Sequence, residues 1–489
     1  MSENAQWNNS RKVIERVFIS GVLVLETPAN LGSGDAEGTT DMGLLYDSFE
    51  ERPLLTGASI AGALRNYLRE YEAGFGAFEK KSGELRAERL FGHLDAHDDA
   101  SVLSWLMVDD ALGTLPENGE PVEIRDGVTI DPKSRTAEEN KLYNIELLAA
   151  GTTFDLHFEL WLTAENQENL ESLVIALEGL EGGEIGLGRR KRRGYGQCRV
   201  SDWQVQQYKM DETAGLLGWL NHTRGKGKSY ETILDLLDGS PTLVSNREAF
   251  TLEAAFSLKT SLLIRSDSGK ADAVDAVHLR SWRDGKRKPI LSGTSLAGVI
   301  RARALRIAKT VLKNEKRATD FVDAMFGKRI RKPTDEPTGS RVVVHETLIE
   351  NSVPDRVQNR VKLDRFTGGA YPQALFSQQP VFGKTKSSTR VKVWLELRKT
   401  HDMPEEDFDA EVGLLLLVLK DLWTGDLPVG GESSVGRGRL QGESATLRLG
   451  EKTWELAQNP DGTLSFDGSG DSAKLEGRFL QRFLEEVQP

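Results

Sequence analysis

Cysteine is almost absent from this sequence: Cys198 is the only one among 489 residues. This excludes an internal disulfide framework and any multi-cysteine zinc site, and it predicts a protein of the reducing cytoplasm. Long hydrophobic runs are absent too, since no window approaches the ~20 consecutive apolar residues of a membrane-spanning helix. The first twelve residues lack the apolar core of a signal peptide. We therefore expect no membrane contact.

An overall positive charge is missing as well, because the formal net charge is −12. Proteins that scan nucleic acid freely are usually basic, so this balance argues against that class. Basic residues are nevertheless concentrated locally, in residues 189–193, 280–288 and 328–332. Local clusters of this kind are sufficient to bind a polyanion on one part of a protein surface.

Residues 186–199, GLGRRKRRGYGQCR, combine four glycines with an unbroken basic run and contain no acidic residue. We call this stretch the first Gly loop. Glycine permits positive φ and lets backbone amides approach a ligand closely, and arginine grips phosphate through paired hydrogen bonds. The stretch therefore indicates a backbone cradle for a polyanion. The competing interpretation is a solvated basic turn.

A second glycine-rich stretch, GGESSVGRGRLQG in residues 430–442, is the second Gly loop, and it belongs to a longer internal repeat. The block PLLTGASIAGALR at 53–65 returns as PILSGTSLAGVIR at 289–301, 236 residues later. This spacing far exceeds that of solenoid repeats, so it indicates a duplicated domain. Further landmarks recur in the same order: Phe91-Gly92 and Phe326-Gly327, strands at 154–162 and 391–398, leucine-rich helices at 173–180 and 414–422, and the two Gly loops.

Each copy runs in the order strand, loop, helix, variable segment, strands, helix, Gly loop, strand. This is the βαββαβ order of a ferredoxin-like fold, so the sequence predicts an α+β protein with two tandem ferredoxin-like domains. The first helix is predicted to have Ser59 as its N-cap, and the variable segments, about 86–151 and 326–388, are expected to carry hairpins. The predicted boundaries are 1–207 for the first domain, 208–246 for a linker with a short helix, and 247–489 for the second domain with a C-terminal helix.

Four pieces of the first copy, taken in order, resemble the RAMP superfamily of CRISPR proteins: ETPANLGSGD, PLLTGASIAGALR, IRDGVTIDPKSRTAEENKLYN and RRGYGQ. More narrowly, they resemble backbone subunits of type III effector complexes, and two fused copies resemble a type III-D arrangement. The resemblance implies RNA-recognition-motif-like domains that hold a crRNA guide along a spine. It also implies hairpin thumbs that displace nucleotides of complementary target RNA, and other RAMP-type subunits as partners.

The resemblance and the basic run together predict the RNA-binding residues. Members of the family often carry lysine in the turn before the first helix, where this chain has Ala61 and Ala297. The helix N-terminus, or Arg65 and Arg301, would then have to grip the phosphate. The second Gly loop lacks the basic run, so its contact with RNA is expected to be weaker. The expected RNA-binding residues are Arg65, Arg189, Arg190, Lys191, Arg192, Arg193, Tyr195, Arg301, Arg437 and Arg439.

In the resembling subunits, one aspartate in the loop before the first helix is needed to cleave target RNA. The resemblance assigns this role to Asp41 in the first copy and Asp275 in the second. A carboxylate beside a displaced phosphodiester can hold a divalent cation, here Mg²⁺ or Mn²⁺, while the ribose 2′-OH attacks in line. The competing interpretation is a turn residue bonded to its own backbone. The alternative aspartates in the two loops are Asp35, Asp47, Asp267 and Asp272.

Three functions remain open at this point. The first is an RNA-guided, metal-dependent endoribonuclease subunit that cuts a target at two sites. The second is a non-catalytic scaffold that only shapes the guide–target duplex. The third is a metal-independent, guide-processing endoribonuclease, which would need a histidine base, and His278 in the second copy is the histidine placed for it.

Overall fold

The structure, a computed structural model, describes residues 12–32, 42–78, 84–93, 102–131, 134, 136–266, 274–328, 330, 335–353, 356–384, 389–459, 464–468 and 475–485. No helix among these residues is long and apolar enough to cross a membrane. Two separate hydrophobic cores form, one in each copy.

The first copy is a ferredoxin-like domain. Strand β1 lies between β7 and β8, while β3 and β4 pair with the far side of β7, all antiparallel. The fourth strand of the βαββαβ unit is thus beside the first, and the first is beside the third. The elements are β1 Glu15–Leu25, β2 Leu54–Leu55, α1 Gly57–Ala73, α2 Arg86–Phe91, β3 Leu106–Val108, β4 Ala111–Thr114, β5 Val122–Ile130, β6 Ala137–Leu148, β7 Thr153–Leu162, α3 Glu168–Glu181 and β8 Cys198–Lys209.

Burial alternates along β1, as expected for a strand with one face on the core. Val17, Ile19 and Leu23 are buried against helices α1 and α3. Helix α1 buries Ile60 and Leu64 at a spacing of four residues, so one stripe of the helix faces the sheet. The two helices cover one face of the sheet and leave the opposite face to other parts of the chain.

Helix α1 begins earlier than predicted. Its N-cap is Thr56, whose hydroxyl accepts a hydrogen bond from the backbone N–H of Ser59, so the prediction that Ser59 itself is the N-cap is wrong. Threonine in extended backbone is a favoured N-cap because its side chain satisfies a free N–H of the first turn. The register of the helix is otherwise the predicted one.

Residues 208–246 pack on the first copy. They form helix α4, Thr213–Leu220, and strand β9, Lys228–Tyr230, which pairs with β8 and extends the first sheet. A 3-10 turn follows at Ile233–Leu236, and its Ile233 is fully buried in the first core. The short helix expected between the copies is present, and the segment around it adds a strand to the first sheet.

The second copy repeats the first. Strand β10 lies between β21 and β22, β15 and β16 pair with β21, and α5 and α7 cover one face. The elements are β10 Glu248–Leu258, β11 Arg265–Ser266, β12 Ala276–His278, β13 Arg280–Arg283, β14 Lys286–Leu291, α5 Gly293–Leu312, α6 Glu315–Phe326, β15 Val342–Val344, β16 Thr347–Glu350, β17 Ser352–Val353, β18 Gln358–Leu363, β19 Ala370–Gln379, β20 Phe382–Gly383, β21 Arg390–Lys399, α7 Glu405–Thr424, β22 Leu440–Leu449, β23 Lys452–Gln458, β24 Leu464–Gly468 and α8 Gln481–Glu485.

The variable segments carry hairpins, as predicted. In the first copy β5 and β6 pair antiparallel, with Val122 opposite Leu148, and in the second copy β18 and β19 pair with Gln358 opposite Gln378. The first Gly loop contacts β15 and the start of α5 of the second copy. The two copies therefore meet where the first copy's loop and hairpin base reach the second copy.

Candidate nucleic-acid interface

The first Gly loop has a backbone that its glycines make possible. Arg190 has a left-handed φ of 58°, Lys191–Arg193 form a 3-10 turn, and Gly194 follows with a φ of 84°. A Cβ atom at Gly194 would lie 2.2 Å from the backbone nitrogen of Glu346 in the second copy. The loop therefore needs glycine here both for its dihedral angle and for its close approach to the second copy.

The second Gly loop has the same backbone. Glu432 has a φ of 61°, Ser433–Val435 form the 3-10 turn, and Gly436 follows with a φ of 88°. The correspondence confirms the predicted duplication, but the charges differ. The first loop presents five consecutive basic residues, whereas Glu432 makes the equivalent turn of the second loop acidic. Only the first turn is thus suited to hold a polyanion.

The basic run divides into free and fixed side chains. Arg189, Lys191 and Arg193 are exposed. Their side chains form no hydrogen bond or ion pair with any residue that the structure describes. They are the three cations of the run that can meet a phosphate without first breaking a contact inside the protein.

Arg190 and Arg192 are held by the protein instead. The guanidinium of Arg190 lies 4.3 Å from the centre of the Tyr143 ring, in the first hairpin. The guanidinium of Arg192 donates to the carbonyl oxygen of Ser340 in the second copy. These two residues fix the loop on its supports, and the three free cations project from it.

The cations of the loop are crowded. Burial, and then the positive charges of Arg192 and Arg398, lower the pKa of Lys191 although its tip reaches solvent. Burial and the charge of Arg190 lower the pKa of Arg193 in the same way. Because like charges close together disfavour the protonated forms, an anion bound here would relieve repulsion that the free protein carries.

Tyr195 is predicted to contact RNA, but its side chain is buried. It is 4% exposed and packs against Ile145 and Leu147 at the base of the first hairpin. The guanidinium of Arg125 lies 5.3 Å from its ring centre. Sequence alone gives the aromatic residue but not its direction, and in this structure Tyr195 supports the loop from within.

Arg437 occupies the position of Tyr195 in the second copy and is also buried, at 2% exposure. Its guanidinium donates to Glu432 at 2.8 Å, to the Ser261 hydroxyl at 2.6 Å and to Gln358 at 2.8 Å. A guanidinium with these partners is already neutralised and hydrogen-bonded. The expectation that it projects toward RNA is therefore corrected.

The remaining predicted cations differ in availability. Arg301 donates to Asp323 at 2.6 Å and to the carbonyl oxygen of Gly327 at 2.8 Å, which ties α5 to the end of α6. Arg65 is half-buried on α1. Arg439 is exposed beside the second Gly loop. Arg439 is thus the cation of the second copy that remains placed for RNA.

The N-terminus of α1 is filled by a carboxylate. Asp110 accepts a hydrogen bond from the backbone N–H of Gly57 at 2.7 Å. The carboxylate of Asp110 occupies the helix N-terminus where the sequence predicted a bound phosphate, since both anions are favoured there. The equivalent residue in the second copy, Glu346, also stands two residues after its strand, but its carboxylate pairs with Arg125 and Arg283.

Glu346 belongs to a buried group of charges between the copies. It pairs with Arg125 of the first hairpin and, at 2.6 Å, with Arg283 of the second copy. Arg125 also pairs with Glu123 at 2.8 Å, and Glu123 accepts from the Ser281 hydroxyl at 2.7 Å. Two guanidiniums and two carboxylates are thus buried together, and each of them is paired with a group of opposite charge.

The structure describes only some of the aspartates proposed from the resemblance. Asp41 lies outside the described residues, as do Asp35, Asp267 and Asp272. Asp47 is described, and its carboxylate accepts from the backbone N–H groups of the next turn, at 2.9 Å and 2.7 Å. It is an aspartate that closes its own turn.

Asp275 is exposed at the start of β12, beside the base of the second hairpin. Its Oδ2 accepts from the Ser377 backbone N–H at 2.6 Å and from the Ser377 hydroxyl at 3.0 Å, and these bonds lower the pKa of Asp275. Among the described residues no group of three His, Cys, Asp or Glu could hold a metal ion. Mg²⁺ commonly binds through one or two carboxylates with substrate phosphates and water, so Asp275 fits as one ligand of an ion whose other ligands come with RNA.

His278 is structural. Its side chain is 1% exposed, its Nδ1 accepts from the Ile264 backbone N–H at 3.1 Å, and its Nε2 donates to the Ile290 carbonyl at 2.9 Å. Burial lowers its pKa to about 4. Both ring nitrogens are occupied and the ring is inaccessible, so His278 cannot serve as the base of a guide-processing site.

Sequence reasoning missed the residues that support the basic run. Tyr143 lies within the motif quoted for the first copy, but nothing in the sequence pairs it with Arg190. Ser340 is an ordinary loop residue whose carbonyl matters only because the two copies pack together. The signal that could have found Tyr143 is the preference of arginine for the face of an aromatic ring, here that of a half-buried hairpin tyrosine.

Comparison with known proteins agrees with this geometry. The model of the RAMP superfamily matches the chain twice, at residues 18–199 and 256–441. The two matches cover the two ferredoxin-like domains and together span most of the chain. No curated protein matches the sequence.

Proposed function

We propose a function from one premise: the chain belongs to the RAMP superfamily and is a CRISPR-associated RNA-binding protein with two fused RAMP domains. The proposed function is that of a tandem backbone subunit in a type III effector complex. It would hold a crRNA guide, receive complementary target RNA, and join other RAMP-type subunits. The domains proposed to share this work are residues 1–207 and 247–489, connected by 208–246.

One observation carries the RNA-binding part. The first Gly loop exposes Arg189, Lys191 and Arg193, while Arg190 and Arg192 anchor its 3-10 turn. A rigid backbone with several free cations suits a ribose-phosphate chain, because the contacts are with phosphate and carry no sequence information. The crowding of these cations adds to the gain when a polyanion binds.

The two copies are proposed to contribute unequally. The second turn has Glu432, two serines and a valine where the first has four basic residues, two of them free and two anchoring. Its available cation is Arg439 at the edge of the loop. We therefore propose that the guide backbone is gripped mainly by the first copy.

Cleavage of the target at two sites is the catalytic part of the proposal, with Asp41 and Asp275 as the residues concerned. The exposed carboxylate of Asp275 and its lowered pKa support an ionised ligand at neutral pH. A bound Mg²⁺ or Mn²⁺ would supply electrophilic help to the displaced phosphodiester. Asp275 would position that ion, and Ser377 holds the carboxylate in one orientation.

A non-catalytic scaffold is the second candidate, and one contact favours it. The two hydrogen bonds from Ser377 to Asp275 are those of a residue that closes a turn. In that case the chain would shape the guide–target duplex while another subunit cuts. Guide processing is not proposed, because His278 is buried.

The RNA-binding proposal is tested with the three free cations. The triple variant Arg189→Ala/Lys191→Ala/Arg193→Ala should weaken binding of guide RNA similarly for all sequences. It should also reduce the slope of log affinity against log salt by about 2 to 3, since each lost phosphate contact removes roughly one unit or slightly less. Fluorescence titrations of the full chain at several salt concentrations measure both quantities.

The matched control removes the same charge elsewhere. Lys316, Lys420 and Lys452 are exposed on the second copy, away from the loop. Their triple alanine variant changes net charge equally and should leave the salt slope within about 0.5 of the wild type, since no phosphate contact is lost. Equal slopes for the two triple variants would show that the first Gly loop is a solvated surface.

A further inference from the structure

The sheet of the first copy has a second face, opposite α1 and α3. Phe18 on β1 lies between Glu159 on β7 and Gln206 on β8, and Ser20 lies between His157 and Gln204. Directly paired residues of neighbouring strands share a face. Aromatic and polar side chains therefore stand side by side on this face, whereas the other face of the same strands is mostly apolar.

The segment between the copies folds over this face. The ring of His222 stacks on Phe18 with 4.1 Å between centroids and 30° between planes. Tyr208 meets both rings edge-on at 5.9 Å. Arg224 pairs with Asp109 at 2.5 Å, which fixes the segment at the edge of the sheet.

A cavity of about 220 Å³ remains between the sheet and this segment. Its volume is that of about seven water molecules at ~30 Å³ each, and it is smaller than the ~300–1,000 Å³ pockets that hold drug-sized ligands. It therefore has room for a single ring system rather than a longer ligand. The side chains that line it include Phe18, His157, Gln204, Gln206, His222 and Lys226.

Within the part of the chain that the structure describes, the Gln206 amide and the His157 ring form no side-chain hydrogen bond. Burial lowers the pKa of His157 and of His222, so both rings are neutral at pH 7. The His157 ring therefore offers one donor and one acceptor, whereas the Nδ1 of His222 is already hydrogen-bonded to the Tyr208 hydroxyl at 3.4 Å. Half-buried polar groups without partners favour a ligand that supplies them.

The second copy lacks this arrangement. Thr251 holds the strand position of Phe18, because it pairs with Glu396 just as Phe18 pairs with Glu159. The second copy therefore has threonine where the first has the aromatic ring that stacks on His222. Trp394 holds the strand position that corresponds to His157. The ring of His345 covers it, with 3.5 Å between the ring centroids. The cavity is therefore a property of the first copy alone, and the duplication itself did not create it.

We propose that this cavity binds one unpaired nucleobase of single-stranded RNA, with its ring against the Phe18–His222 pair and its polar edge at Gln206 and His157. Stacking on aromatic rings together with hydrogen bonds to base edges is how proteins recognise unpaired RNA. Lys226 at the rim meets the adjoining phosphate, while Arg224 stays paired with Asp109. The inference rests on the proposed RNA-binding function for the class of ligand, but it uses none of the residues of the first Gly loop.

The test uses the full chain, freed of co-purified nucleic acid, and a fluorescein-labelled tetrauridylate as probe. Gln206→Ala should weaken binding about two- to tenfold, the usual effect of one lost hydrogen bond. His222→Ala should weaken it roughly five- to hundredfold through lost stacking. Gln207→Ala is the matched control, because Gln207 is the next residue on β8 and its exposed side chain points to the other side of the strand.

A tetranucleotide carrying 4-thiouridine locates the contact by photocrosslinking and mass spectrometry. A crosslinked peptide that contains Phe18 or His222 supports the proposal. Affinities of the Gln206→Ala and His222→Ala variants within twofold of wild type would overturn it, as would crosslinks confined to residues 186–199. Release of a bound protein subunit by Gln206→Ala, with the tetranucleotide titration unchanged, would also overturn it, since the cavity would then seat a protein.

The outcome is separable from that of the guide-binding proposal. The triple variant of the first Gly loop should lose guide RNA while it keeps the crosslink at Phe18 or His222. If the wild-type chain binds guide RNA through the loop but leaves the tetranucleotide unbound, the cavity proposal fails and the guide-binding proposal stands.

Discussion

Replacing Glu346 by glutamine should loosen the junction between the two copies. The Glu346 side chain is 0% exposed and its partner Arg125 is 3% exposed. Burial by itself would lower the pKa of Arg125, but Glu346 and Glu123 raise it well above its ordinary value. Glutamine keeps the shape of the side chain and removes the charge, so two buried guanidiniums would share one carboxylate.

The magnitude follows from the balance of charge. The enclosed group contains Arg125, Arg283, Glu123 and Glu346, which sum to zero, and the substitution leaves one uncompensated positive charge. Removing one partner of a buried ion pair costs about 3–5 kcal/mol. At about 2–4 °C of melting temperature per kcal/mol for domains of this size, the transition that reports the junction should fall by roughly 6–20 °C.

Thermal unfolding followed by circular dichroism, together with limited proteolysis at 25 °C, measures the effect. Glu350→Gln is the matched control, because Glu350 is exposed four residues further on, and surface changes of this kind stay within about 0.5 kcal/mol. The double variant Arg125→Met/Glu346→Met should lose less than the sum of the two single variants, since each removes the other's unpaired charge. A Glu346→Gln melting curve that coincides with that of Glu350→Gln would refute the reasoning.

Two further predictions concern chemistry and pH. Asp275→Asn keeps an acceptor for Ser377 but loses the charge, so in the assembled complex it should abolish one of two cuts in end-labelled target RNA and leave guide binding intact. Asp364→Asn, in the turn of the neighbouring β18–β19 hairpin, is the control and should change neither. An unchanged ladder for Asp275→Asn favours the scaffold. His278 has a folded pKa of about 4, below its unfolded value of ~6.5, so its contribution to stability is complete above pH 6.5 and is lost as pH falls toward 4. Urea unfolding of the second copy should therefore lose about 2 kcal/mol between pH 7 and pH 5, and a stability that stays flat over this range would contradict the buried, neutral ring.

Much of the fold could be predicted from the sequence, because the repeat supplied each assignment twice. Helical spacing in the block that begins at Gly57 recurs at Gly293, and both positions start a helix. The order of elements then fixes the sheet, since a βαββαβ chain with short connections has few ways to pair its strands. The sequence did not predict the exact start of the first helix. Thr56, not Ser59, is its N-cap, because capping depends on which residue has an extended backbone rather than on which residue type is most favoured.

The candidate site was only half predictable. The glycines and cations of the first Gly loop are evident in the sequence, and the shared backbone of the two loops follows from them. The direction of each side chain cannot be predicted from the sequence, because Tyr195 and Arg437 turn inward toward hairpin residues that are distant along the chain. The cavity above Phe18 was missed for the same reason, since it exists only when residues 221–226 fold back over the strand.

The ion pair between Arg125 and Glu346 joins residues encoded in different halves of a duplicated gene. Recombination between such halves tends to make them identical, and a transfer from the first half to the second would write aspartate, as at Asp110, over Glu346. The carboxylate would be one methylene shorter and directed to the helix start, which would leave Arg125 and Arg283 to share Glu123. The fold thus favours keeping different residues at this position in the two copies. Once the copies pack against each other in this way, an exchange of sequence between them destabilises the junction, so the two halves evolve separately.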